Sequence, residues 1–226
     1  MTWAGAHAEQ TKWIVVVLST NGATAIHEVH RLGDVLASEL NALAVDVPIG
    51  LVERKKISGG RRCEIEVRSH LGEPRRHSFF PSPVQAALFA DSFREASAIQ
   101  AQNSANGRGI CLQTFALFMG IRDVREWVKS GKRPVPVEAH AELSFNEMAG
   151  RPTIDGRSTE DGGIERMNLL RRHGIANLKG EPPPRGVLDA AALAWTARRV
   201  ATGEALPLPT GDPDRDCDGI PMVVWR

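Results

Sequence analysis

The stretch "ALAVDV", residues 42 to 47, constrains this chain more than any other part of it. It is an apolar run of strand length that does not alternate. A strand with one wet face alternates, whereas a strand covered on both faces reads as a continuous apolar run. Such a strand needs layers above and below its sheet, so an α/β architecture is expected. Asp46 interrupts the run, and Pro48 and Gly50 follow it. A buried charge without a partner is costly. Pro48 also holds Val47 extended and ends the ladder. Asp46 is therefore expected where the strand meets the rim, the place where ligands gather in open α/β sheets. A carboxylate there can equally bond the amides of the "PIGL" turn.

The flanking sequence supplies the rest of a sheet. "WIVVVL" (13–18) is β-branched and reads as a strand. "WAGAHA" (3–8) pairs with it across the polar "EQTK", and "TAIHEVH" (24–30) follows as a third strand. Leu32, Val35, Leu36, Leu40 and Leu43 recur at helical spacing. Residues 53 to 81 read as loop. A helix is expected from Ser82, with Ser82 as its cap and Pro83 at its first position, and another over 111 to 130. "VPVEAHAELSF" (135–145) reads as a strand, "IERMNLLRRHG" as a short helix, "VLDAAALAWTARRVATG" as a last helix and "GIPMVVW" as a closing strand. No repeat or shift in composition divides the chain, so one domain over 1–226 is expected.

Bulk properties narrow the function classes. The formal net charge of +1 creates no global field for nucleic acid or membrane. Three scattered cysteines fit neither a disulfide framework nor a zinc site, and suit a reducing compartment. No segment has the length of a membrane span or the flanks of a signal peptide, so a cytoplasmic location is expected.

Three carboxylate groups stand out. Asp46 is the first. On a strand over 135–145, Glu138, His140 and Glu142 would share one face; an edge strand with a wet face looks the same. Asp189 opens the last helix, where an acid also suits the macrodipole. The segment 53–77 carries eight Lys or Arg against four Glu. It follows Asp46 directly, so its cations can neutralise phosphate near the acids, although a solvated surface shows the same composition. No aromatic residue lies within it, so stacking of bases is not suggested.

Other motifs fail on spacing. "HEVH" places His27 and His30 three apart in a strand-like context, not four apart on a helix as a zincin needs. "DRDCDG" (214–219) opens like a calcium loop, but its twelfth position is Trp225 instead of a bidentate Glu. Cys63 and Cys111 read as small hydrophobes.

In order along the chain, "DVPIGL", "RRCEIEVRSHLG", "SFFPSPVQAAL", "GICLQTFALF", "EAHAELSF", "GGIERMNLL", "VLDAAALAWTARR" and "DGIPMVVW" resemble a widespread bacterial and archaeal family of RNase H-like nucleases. The activity of that family is inferred largely from fold. The resemblance implies an RNase H-like three-layer fold, with three antiparallel strands followed by parallel ones. It implies catalytic and metal-binding roles for Asp46, Glu138 and Asp189, with Mg²⁺ or Mn²⁺ as cofactor. Two such ions, about 3.5–4 Å apart, would clamp a phosphodiester. Arg61, Arg62, Arg68 and Lys55 would hold phosphate, and His140, Glu142 and Arg166 would line the pocket. The implied substrate is nucleic acid or nucleotide-like. The chain departs from the family at its first strand, where His7 stands in place of an Asp. Imidazole is a poor ligand for Mg²⁺ and a better one for manganese or zinc. A binding module with an altered site, and a small-molecule enzyme using the same rim, are the competing expectations.

Overall fold

The computed structural model describes residues 1–35, 40–53 and 60–226. β1 (Thr2–Ala8), β2 (Trp13–Ser19) and β3 (Thr24–Val29) form an antiparallel meander. β4 (Ala42–Val45) runs parallel to β1, and β5 (Val137–Glu138) runs parallel to β4. The mixed sheet has the order β3-β2-β1-β4-β5.

Side-chain alternation divides the core in two. Trp3, Ile14, Val16, Ala42 and Ala44 pack on one face against α5 (Ala141–Ala149), α6 (Glu160–Arg172) and α7 (Arg185–Thr202). Ala4, Ala6, Val15, Leu43 and Val45 pack on the other, mainly against α4 (Phe118–Lys129). Val15 and Val16 are both fully buried, each worth about 1.5–3 kcal/mol relative to exposure. The result is a three-layer α/β fold. It explains why β4 does not alternate: Ala42 and Ala44 meet one layer, while Leu43 and Val45 meet the other.

The close seating of α7 on the sheet decides where a site can form. A Cβ on Gly5 would lie 2.1 Å from the Ala194 nitrogen and 2.2 Å from the Ala190 oxygen. A Cβ on Gly186 would lie 2.4 Å from Ile14 Cδ1 and 3.2 Å from His7 Cδ2. Both glycines let the helix backbone settle directly onto β1, next to His7.

Several expected elements differ. Residues 135–145 do not form one strand. The Ala139 N–H to the Val45 carbonyl, at 2.9 Å, is the last bond to β4; β4 ends there, and the chain turns into α5. The basic segment is not loop throughout, since Arg62–Arg75 forms α1, interrupted at Gly72 (φ +60°). Its buried stripe, Cys63, Val67 and Leu71, recurs every four residues beneath the charges. Ser82 caps no helix, and its N–H donates to Glu64 at 2.9 Å. The helix beyond it, α2 (Phe93–Gln102), starts at Ser92, whose hydroxyl accepts from the Glu95 N–H. Residues 111–130 divide into α3 (Leu112–Ala116) and α4. The periodic leucines after Leu32 give only a 3-10 turn over Leu32–Asp34, because Leu43 belongs to β4. Leu36 lies outside the described residues, as does Lys55.

The tail folds as β6 (Pro207–Leu208) with β7 (Val224–Trp225), and Trp225 bridges to Ala139 beside β5. Among the described residues, no helix is long and apolar enough to cross a membrane.

Candidate functional site

β1 and β4 run parallel with Ala6 beside Val45. The next residues along, His7 and Asp46, therefore emerge as neighbours at the carboxyl edge of the pair. Odd-numbered residues of β1 face α7, and so does the even set of β4, which puts both side chains under that helix. The His7 Nδ1–H bonds directly to Asp46 Oδ2, and the Ala8 N–H donates to Asp46 Oδ1 at 2.9 Å. Burial opposes a charge on His7, but Asp46, through its charge and its hydrogen bond, together with the Asp189 charge, outweighs it and raises the imidazole to about 9. Burial likewise opposes ionisation of Asp46, yet the His7 charge and hydrogen bond and the Ala8 amide hold its carboxyl below the ordinary value. At neutral pH the two form an ion pair.

Asp189, in the second turn of α7, is 1% exposed, and neither of its carboxylate oxygens has a hydrogen-bond partner. Arg157 Nη1 lies 4.0 Å from Oδ2. Burial raises its carboxyl above the ordinary range; the charges of His7 and Arg157 oppose the shift, and those of Asp46 and Glu142 add to it. Two acids of the same type thus stand near one imidazolium in opposite conditions, one held ionised and the other pushed toward its neutral form. Such divergence marks a functional-site candidate.

Glu138 does not join them. Its register partner is Val45, so it projects on the opposite face of the sheet from Asp46. There Arg61 holds it in a fork, with contacts of 2.8 Å to Oε2 and 2.5 Å to Oε1, and the Ile49 N–H adds 3.0 Å to Oε2. Arg61 is 2% exposed and also binds Glu64 at 2.8 Å and the Gly50 carbonyl at 2.9 Å. It is an internal strut, with four of its five N–H donors engaged. Glu142 lies in the first turn of α5, paired with the fully buried Arg166 at 2.8 Å and bonded by the Thr153 hydroxyl at 3.2 Å. Arg62 is anchored to the Asp212 carbonyl, and Arg68 lies 4.0 Å from Glu64. The amides of the "PIGL" turn are taken by Glu138 at Ile49 and by Asp216 at Leu51, not by Asp46. Asp216 also accepts from the Asp218 and Ile220 N–H groups and from Arg125. The calcium-like segment is therefore a clamp for the tail.

His7, Asp46, Glu138 and His140 line a cavity of 540 Å³, together with Arg157 and Arg185. His140 precedes α5, with its ring edge on Phe79 at a centroid distance of 5.0 Å. Its Nδ1 is buried without a partner, and burial pushes the imidazole down to about 4. The cavity thus holds one charged and one neutral imidazole. Arg157 and Arg185 escaped the sequence reading. Arg185 was within reach, since it precedes Asp189 by one helical turn and shares its face; Arg157 sits in a polar loop with no distinguishing pattern. Cys63 is buried, and burial pushes its thiol up to about 12, as suits a small core residue.

Two of the three acids that would hold a pair of divalent ions, Asp46 and Glu138, are already engaged with cations of the chain itself. An imidazolium has no lone pair to offer, Asp46 is engaged by it, and Glu138 accepts three hydrogen bonds from Arg61 and Ile49. Among the described residues, no group of three or more His, Cys, Asp or Glu is placed to hold a metal ion.

Fold and site together define a three-layer α/β protein with a charged cavity at the carboxyl edge of β1 and β4. The chain belongs to the family described as "Protein of unknown function (DUF429)", which it matches over residues 7–214. No curated protein and no solved structure matches it.

Proposed function

We propose that this chain is an RNase H-like module that binds a phosphodiester of nucleic acid in the β1–β4 cavity. In this reading Arg157 and Arg185 supply the positive charge that divalent ions supply in a hydrolase of this fold. The strand order, with three antiparallel strands and then two parallel ones, supports the fold assignment. The observation that carries the functional reading is the part-buried His7–Asp46 ion pair. It neutralises the acid that the first ion would need. Arg157 and Arg185 add two permanent charges for a phosphate.

A second reading, a Mg²⁺- or Mn²⁺-dependent phosphodiester hydrolase, is favoured by Asp189. Two buried carboxylate oxygens without partners are what a bound cation would satisfy. Asp46 and Asp189 are the residues that would hold it, and the ion would supply charge neutralisation at the scissile phosphate.

Thermal unfolding with and without millimolar Mg²⁺ or Mn²⁺ separates the two, because a ligand of the folded state stabilises by mass action. The binding reading expects no shift in the wild type and a metal-dependent rise in His7→Asp, which removes the imidazolium and completes an acidic cluster. A shift in the wild type that Asp189→Asn abolishes would establish the hydrolase reading instead.

A further inference from the structure

Beside the first cavity lies a second, of 510 Å³, and Phe79 and Phe80 line both. Four basic side chains, Arg68, Arg76, His77 and Arg108, line the second cavity, and no acid among the described residues does. Glu73 pairs with Arg76 and His77 at the edge of this wall, and Arg108 is exposed. Phe80 is 43% exposed. Phe79 is buried and packs edge-to-face with His140 of the first cavity. The two hollows therefore share a phenylalanine wall and carry guanidinium groups on both sides of it.

We propose that the two hollows form one groove for single-stranded nucleic acid, with a base stacked on Phe80 and the flanking phosphates held by Arg76 and Arg108. Arg108 is presented by a loop that its own side chains shape. The Ser104 hydroxyl donates to the Arg108 carbonyl at 2.9 Å, and the Arg108 N–H donates to Asn106 Oδ1 at 3.2 Å. Arg76 contacts Glu73 at 3.2 Å, with both side chains more than half exposed. A surface pair of that kind contributes little, so it yields readily to a phosphate. An aromatic platform with a cationic wall is how sequence-tolerant single-strand binders work. A duplex keeps its bases inside and offers Phe80 nothing to stack on. The proposal extends the phosphodiester reading, and rests on it only for the part of the strand that enters the first cavity.

Fluorescence anisotropy with a labelled oligothymidylate of about twelve nucleotides, and with the matching duplex, tests it. The single strand is expected to bind more tightly than the duplex. Phe80→Ala should weaken it roughly tenfold through lost stacking. The double substitution Arg76→Gln and Arg108→Gln should lower the magnitude of the log-affinity against log-salt slope by about 1.4, at about 0.7 per phosphate contact. All three positions are on the surface, so unchanged thermal unfolding should accompany these losses. Preference for the duplex, or affinity and slope unaltered in the variants, overturns the groove. The double substitution Arg157→Gln and Arg185→Gln reports on the first cavity alone. If it leaves strand binding intact while the groove variants abolish it, the groove stands and the first-cavity reading falls; the reverse pattern removes the groove and keeps the cavity.

Discussion

His7 and Asp46 are thirty-nine positions apart in sequence and share one proton-bearing contact at the carboxyl edge of adjacent parallel strands. In the folded chain His7 keeps its proton to about pH 9, against an ordinary 6.5. Its contribution to stability is therefore complete below 6.5 and lost as the pH rises through 9. Asp46, held below its ordinary 3.8, contributes above that value and loses its contribution as the pH falls through its lowered one. His7→Gln should cost about 2 kcal/mol at pH 6, and the difference from wild type should fade by pH 10. Urea denaturation across that range measures it, and a cost independent of pH would contradict the ion pair.

Asp189 is expected to behave in the opposite sense. Its carboxyl is raised, so the folded state loses stability as the pH rises from 3.8 through the shifted value. Asp189→Asn removes a buried charge at nearly constant shape. It should stabilise the protein at pH 7 by about 1–2 kcal/mol, with the gain shrinking toward pH 4. Destabilisation at pH 7 would mean that the carboxylate has a partner in solution.

Removing one member of a buried ion pair strands the other. Glu138→Gln should therefore lower stability by about 3 kcal/mol, while changing the affinity for nucleic acid little, because Arg61 and Glu138 act on the turn after β4. Denaturant midpoints read the first expectation and anisotropy titrations the second. An intact fold with lost binding would return Glu138 to the site.

Gly5→Ala tests how closely α7 sits. Its new methyl would meet helix backbone at 2.1 and 2.2 Å, and backbone cannot rotate away. A loss of about 3 kcal/mol or more is expected, at the upper end of what overpacking costs, seen as a lower melting temperature with diminished near-ultraviolet signal. Wild-type melting would show that the helix shifts without penalty.

Much of the sheet was legible in the sequence because its strands are short, β-branched and bounded by turns, and because "ALAV" does not alternate. Asp46 was placed at the strand end by Pro48, and Asp189 by its helix. Failures came where a partner decides the outcome. The alternation of Glu138, His140 and Glu142 held only while β4 ran alongside, and β4 stops at Val45. Arg61 carries the same letter as Arg108 in a sequence, yet one is sealed among acids and the other faces water; only packing tells them apart. Phe79 and Phe80 lie just past the end of the basic segment, so a reading confined to residues 53–77 found no platform for a base. The replacement at His7 was visible, but its bond to Asp46 depends on the strand register.

The seating of α7 ties two fates together. One helix both roofs the apolar face made by Trp3, Ile14 and Val16 and brings the Asp189 charge near His7. A chain cut short before that helix would expose a greasy sheet as well as lack an acid, and a cell would clear it as damaged protein before any defect in ligand handling became apparent. Genetic lesions there will thus register as missing protein, and only point changes at residue 189 itself will isolate what the carboxylate does.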